Sequence, residues 1–142
     1  NKVNLLVEDN TYFIPIIANG VLLKAAYKQN TDGIYLSYDI AMNFLTNARI
    51  TKQNFTKGVD AIKDDGTIVD NAELTIDNVS IGNKELTNVK MTVIKEQEHD
   101  LVIGNSGIKE FGKFSLDQEN DILVFDKKQT EKQQEEEQEE NQ

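Results

Sequence analysis

Hydrolytic chemistry needs a nucleophile, or a base that activates water, held beside a second group that takes up or shares the proton. Thiolate chemistry is excluded, because the 142-residue chain contains no cysteine. His99 is the sole histidine, which argues against a zinc centre built on imidazoles. His99, Asp100 and Ser106 are the only ingredients for a Ser-His-Asp triad. In a strand beginning at His99, its side chain and that of Asp100 would point to opposite faces, so the plainer reading is an ordinary charged loop. In the segment Lys28-Gln29-Asn30-Thr31-Asp32-Gly33, the residues Asn30, Asp32, Gly33 and Asp39 fall at positions 3, 5, 6 and 12 of a calcium loop. Lys28, however, puts an ammonium where the first metal ligand must be an oxygen. That segment is therefore read as a polar loop with Asn and Gly supplying turn geometry, and neither metal nor cofactor is expected. Adjacent carboxylates also occur at Asp64 and Asp65, just before Gly66.

The elements that must position these groups read as short strands and tight turns. An apolar run from Val3 to Val7 ends in the turn formers Glu8, Asp9 and Asn10. Strands over Thr11–Ala18 and Val21–Tyr27 flank Asn19-Gly20, the pair that a two-residue hairpin favours because both positions take positive φ. Pro15, the only proline, implies an edge or a bulge, since it cannot donate to a ladder. After the polar loop 28–33 comes a strand over residues 34–36. Ser37 then offers a helix N-cap, with Asp39 in the first turn and apolar residues following at helical spacing. Hairpins fill the second half. Residues 58–63 and 67–76 flank Asp64-Asp65-Gly66 as a type I′-like turn, and short strands over 79–81, 85–86 and 89–94 surround Gly82-Asn83. Lys95 to Asp100 is a charged loop. Leu101-Val102-Ile103 has the composition of a buried strand, a short helix over 105–111 ends at Gly112, and a last hairpin joins 113–117 to 122–125. Many short strands with one or two short helices predict an all-β, closed or nearly closed barrel.

Between Asn19 and Phe125 this pattern resembles the retropepsin family of aspartic proteases. The segment NGVLLKAAYKQNTDGIYLSYDIA parallels the family's strand, Asp-Thr-Gly triplet, second strand and helix. DLVIGNSGIKEFG resembles the family's apolar-apolar-Gly strand, which crosses behind the catalytic loop and leads into a C-terminal helix. KFSLDQENDILVF resembles the closing strands of bacterial members. The resemblance implies that Lys28, Gln29 and Asn30 stand where the catalytic Asp, Thr and Gly would be, with Asp32 the only acid kept in the motif. It also places Asp64, Asp65 and Gly66 at the tip of the flap that closes over bound peptide. A groove would then lie between the loop around Lys28 to Asp32 and the flap around Gly58 to Glu73, with Asp32, Gly33, Val59, Ala61 and Ile62 as candidate lining, although Val59, Ala61 and Ile62 equally suit a barrel core.

The organisation expected is one domain over residues 1–125 and an acidic Glu/Gln-rich tail over 126–142. The tail has no aliphatic or aromatic side chain, so it has nothing to bury in exchange for the entropy of ordering. Net charge is −10, and both domain and tail are acidic, which makes nucleic acid and anionic membrane surfaces poor partners. No apolar run is long enough to insert in a membrane as a helix. The chain begins with Asn1 rather than Met, compatible with an exported or periplasmic protein whose presequence or anchor has been removed; the residues leave the compartment open.

Aspartic protease chemistry needs two carboxylates that share one proton and activate a water between them, and an ammonium at Lys28 cannot serve as one of them. The expected function is therefore a catalytically inactive homologue that binds a protein or peptide or acts as a structural module. It would be a monomer, or a dimer that does not use the retropepsin interface. The rival is an aspartic endopeptidase with an unconventional site, using Asp32 or a flap aspartate. A third reading is a domain that only supports assembly of a larger protein.

Overall fold

The computed structural model describes residues 1–127. From residue 128 onward the expected acidic tail lies outside the described residues. Ten strands form: β1 (Lys2–Asn4), β2 (Leu6–Glu8), β3 (Thr11–Ala18), β4 (Val21–Tyr27), β5 (Ile34–Ser37), β6 (Glu73–Ile81), β7 (Lys84–Ile94), β8 (Leu101–Ile103), β9 (Phe114–Asp117) and β10 (Ile122–Phe125). Two short helices, α1 (Tyr38–Thr46) and α2 (Asn105–Lys109), complete the set with two 3-10 turns, Lys52–Asn54 and Gly58–Ala61.

Six strands in the order β3-β4-β8-β5-β7-β6 close into a barrel, because Ile17 and Ala18 of β3 pair back to Ser80 and Val79 of β6. Inward positions alternate over the central stretches of β3, β4 and β6. Ile14, Ile16 and Ala18 of β3 are buried, as are Leu23 and Ala25 of β4 and Leu74 and Ile76 of β6. β2 extends the sheet outside the ring, and β1-β10-β9 form a separate three-stranded sheet. Pro15 lies between the β2-paired and β6-paired stretches of β3, so that edge of the strand is open where proline occurs. Asn19 and Gly20 take φ of 45° and 81°, as their two-residue hairpin requires. Ser37 caps α1 through its hydroxyl, which accepts from the Ile40 amide, and Ala41 and Phe44 seat the helix on the core.

Four expectations about elements are corrected. The run 3–7 is two strands, because the chain crosses between sheets at Leu5, whose amide donates to the Asp121 carbonyl. Residues 58–63 are not a strand: Gly58 at φ 56° turns the backbone into a 3-10 turn that buries Ala61. The expected strand 67–76 is interrupted at Asn71, with φ 64°, so that β6 starts only at Glu73 and runs unbroken through 81. The turn at 64–66 is not type I′, since only Gly66, at φ 87°, has positive φ there.

Pairing continues one bond past the expected domain end, as the Asp126 amide donates to the Lys113 carbonyl at 2.8 Å. A chain ending at Lys127 keeps that bond and discards only residues without apolar side chains. Its melting temperature should fall within a few degrees of the full-length value. A larger drop would show that residues 128–142 carry folding energy.

Candidate functional site

The loop 28–33 hangs between two strands that are neighbours in sequence but not in space. β8 inserts between them, parallel to β4 through Ala25↔Leu101 and antiparallel to β5 through Ile34↔Ile103. This is the apolar strand expected to cross behind the loop. Its end fixes the loop backbone: the Lys28 amide donates to Ile103 O at 3.0 Å, and the Gly104 amide donates to Gly33 O at 3.2 Å. Within the loop the Thr31 amide closes a turn on Lys28 O at 3.0 Å. From α2 the Ser106 hydroxyl accepts from the Gly33 amide at 2.8 Å, with Gly33 at φ 82°.

Two glycines permit this approach. A β-carbon on Gly104 would lie 1.4 Å from the Thr31 carbonyl oxygen. One on Gly107 would meet Ile34 and Ile103 side chains at 2.8 Å and Gly33 O at 2.9 Å. At the loop entrance the Tyr27 hydroxyl donates to Asn105 Oδ1. Burial pushes the Tyr27 phenol above its ordinary pKa.

The side chains borne by this scaffold are exposed at Lys28, Gln29, Asn30 and Asp32, and Gly33 is half-buried. Lys28 borders an open recess of about 520 Å³, shared with Phe13 and Lys24 on one wall and Glu98, His99 and Asp100 on another. Glu8 and Asp9, read from sequence only as turn formers, line it too. No sequence signal distinguished them, because the recess is made by strands and loops distant along the chain.

Neither Asp32 nor any flap residue lines that recess. The candidate flap residues divide among environments. Ala61 is buried in the core, Ile62 packs against it, and Val59 is 65% exposed. Asp64, Asp65 and Gly66 are exposed at the tip of a hairpin reduced to the single bridge Ile62↔Ile68. Asp65 is engaged by its own turn: Oδ1 accepts from the Thr67 hydroxyl at 2.6 Å and the Thr67 amide at 3.0 Å. Those hydrogen bonds, the hydroxyl's first, hold its carboxyl below the usual range.

The triad ingredients are dispersed. His99 packs edge-on against Phe13 with ring centres 5.1 Å apart, Asp100 accepts from the Lys24 amide at 3.4 Å, and Ser106 is committed to Gly33. β8 starts at Leu101, so no strand separates His99 from Asp100, and both border the same recess. Asp39 of the calcium-like spacing lies in the first turn of α1, and no cluster of three metal-ligating side chains occurs among the described residues.

The buttress is open to test. Gly104→Ala should destabilise the protein by about 3 kcal/mol, as expected of severe overpacking, or displace the loop. Thermal melts and amide chemical shifts over 28–33 would reveal either outcome; unchanged stability and shifts would contradict the close approach.

No family model and no curated protein matches the chain. Solved structures do. A retropepsin-like aspartic protease from Rickettsia conorii aligns with a TM-score of 0.61 at 20% identity, over 88% of this chain and 90% of that one. The retroviral protease-like domain of Ddi1 from Leishmania major aligns with a TM-score of 0.55 at 16% identity, over 85% of this chain and 89% of that one. Identities this low speak for architecture alone, and with the closed barrel, the inserted β8 and the two short helices they agree on it: the chain has the retropepsin-like fold.

Proposed function

We propose that this chain is a non-catalytic domain of retropepsin-like fold that binds a protein or peptide or serves as a structural module. The carrying observation is Lys28. It leaves β4 at the start of the loop that β8 buttresses, the position where the family resemblance puts the catalytic aspartate. A shared-proton dyad requires a carboxylate there from each of two lobes or subunits. An ammonium offers three donors and no acceptor, so it cannot take a proton from water while charged.

Gln29 and Asn30 replace the other two members of the triplet, a threonine and a glycine. The loop's remaining acid, Asp32, is exposed and does not line the Lys28 recess. Asp65 serves its own turn through Thr67. These placements favour the inactive reading over an endopeptidase with an unconventional site.

Purified protein should cleave no member of a mixed peptide library between about pH 3 and 8, with a pepstatin-type inhibitor as control. Cleavage that survives purification and disappears in Asp32→Ala would overturn the proposal.

The same lysine bears on assembly. A retropepsin-type dimer would bring Lys28 against its own copy at the two-fold axis. Two ammonium groups at 4 Å repel by roughly 4 kcal/mol at an effective dielectric of 20. Sedimentation should therefore give a monomer, or a dimer through another surface. A two-fold dimer with both Lys28 side chains near the axis would refute this.

A further inference from the structure

Closing a barrel removes the free edges of its strands, so the edges that remain show where a sheet is left open to partners. The exposed side of β6 is covered: Phe55 bridges Leu74, Thr56 N donates to Glu73 O, and the Asn54 side chain donates to Thr75 O. β1 turns Lys2 and Asn4 outward around a buried Val3, and β9 turns Ser115 outward between two half-buried apolar residues.

β2 lacks these protections. It pairs only with β3, through Leu6↔Phe13, Val7↔Tyr12 and Glu8↔Thr11, and among the described residues no strand pairs with its other edge. Leu6 is 45% exposed and Val7 50%, on opposite faces of the sheet. Ile17 and Leu22, a directly paired and exposed couple on β3 and β4, lie on the same face as Leu6 beyond the Pro15–Lys24 pair.

The C-terminal end of β2 opens on the Lys28 recess, and charge there selects the partner. Four carboxylates (Glu8, Asp9, Glu98 and Asp100) face two ammonium groups. Lys24 is already spent on Glu8, at 3.0 Å, and on the Phe13 ring, at 5.2 Å, leaving Lys28 against the other three. His99 packs edge-on against Phe13 within the recess, with its Nε2 3.9 Å from Glu98 Oε2.

We propose that the free edge of β2 docks an extended peptide, which adds a strand to the barrel sheet and places a basic side chain in the recess beyond Glu8. Main-chain hydrogen bonds to the open edge hold the strand, as in other cases of strand addition. Alternate apolar side chains cover Leu6 on one face and Val7 on the other. An Arg or Lys at the end meets Asp9, Glu98 and Asp100. The recess shares Lys28 with the loop, but neither Asp32 nor the flap lines it, so shifts at Leu6 to Glu8 distinguish docking here from docking in the loop and flap groove of the resemblance.

The test pans a displayed library of random short peptides against the protein and against the Leu6→Lys, Val7→Lys double variant. Selected peptides should alternate apolar residues, end in Arg or Lys, and shift the amides of Leu6 to Glu8 on titration. Affinity should fall at least about tenfold in the double variant and in Glu98→Lys. Leu6→Thr, Val7→Thr keeps strand-forming residues if the lysine variant loses its fold, and should weaken binding in the same direction. Four results would overturn the proposal. Binders could shift residues 28–33 and 58–66 instead of β2. Selection could be equal on protein and variants, or yield no binders. The β2 amides could shift with protein concentration alone while sedimentation shows a dimer, which would make the occupant a second copy.

Discussion

Gly104 lies so close beneath the Thr31 carbonyl that no side chain fits between them, and the middle of the barrel is arranged around that contact. Only with the β-carbon absent can β8 slide fully between β4 and β5, donate from Gly104 to Gly33, and accept from Lys28. Gly107 repeats the device one turn later, letting α2 settle on Ile34, Ile103 and the Gly33 carbonyl. The insertion also separates β4 from β5, so the segment joining them must arch over the end of β8. The loop 28–33 exists because of that arch.

Most bonds that hold the arch are between backbone groups. The amides of Lys28, Thr31 and Gly104 all bond to carbonyls, and only Ser106 contributes a side chain. A scaffold fastened in this way accepts a change of side chain at its crest with little effect on its shape. The architecture is shared with the solved structures at 20% and 16% identity, while the crest of this chain's loop carries Lys28, Gln29 and Asn30. The contacts that build the loop are thus different from the side chains it presents, and a fold of this kind does not by itself fix a chemistry.

The segment 58–72 shows the reverse case. Its hairpin retains one bridge, with Asp65 and Thr67 closing the turn, while Ala61 and Ile68 are drawn into the core. Asn54 and Thr56 meanwhile bond to β6 and cover its edge. What resembles a flap in sequence thus packs Ala61 and Ile68 into the core and turns Val59, Asp60, Lys63 to Gly66, Asp70 and Asn71 to solvent.

Strong local signals were legible in the sequence. The bounds of β3 and β4 follow from alternation around Asn19-Gly20, α1 from its Ser37 cap and helical spacing, and β8 from an apolar triplet ended by Gly104. Each depends on residues within one element, or on backbone conformations that only a few residue types adopt. The break at Leu5, the 3-10 turn at Gly58 and the late start of β6 depended on tertiary contacts: Leu5 with Asp121, Ala61 with the core, and Val93 with Asn71. The candidate site divides in the same way. Sequence located the loop 28–33, because position along a strand-turn-strand pattern is local information. Only the folded barrel could bring Glu8, Phe13, Lys28 and Glu98 to one recess and leave Leu6 and Val7 on an open edge, because those relations come from strand order, which no stretch of sequence contains by itself.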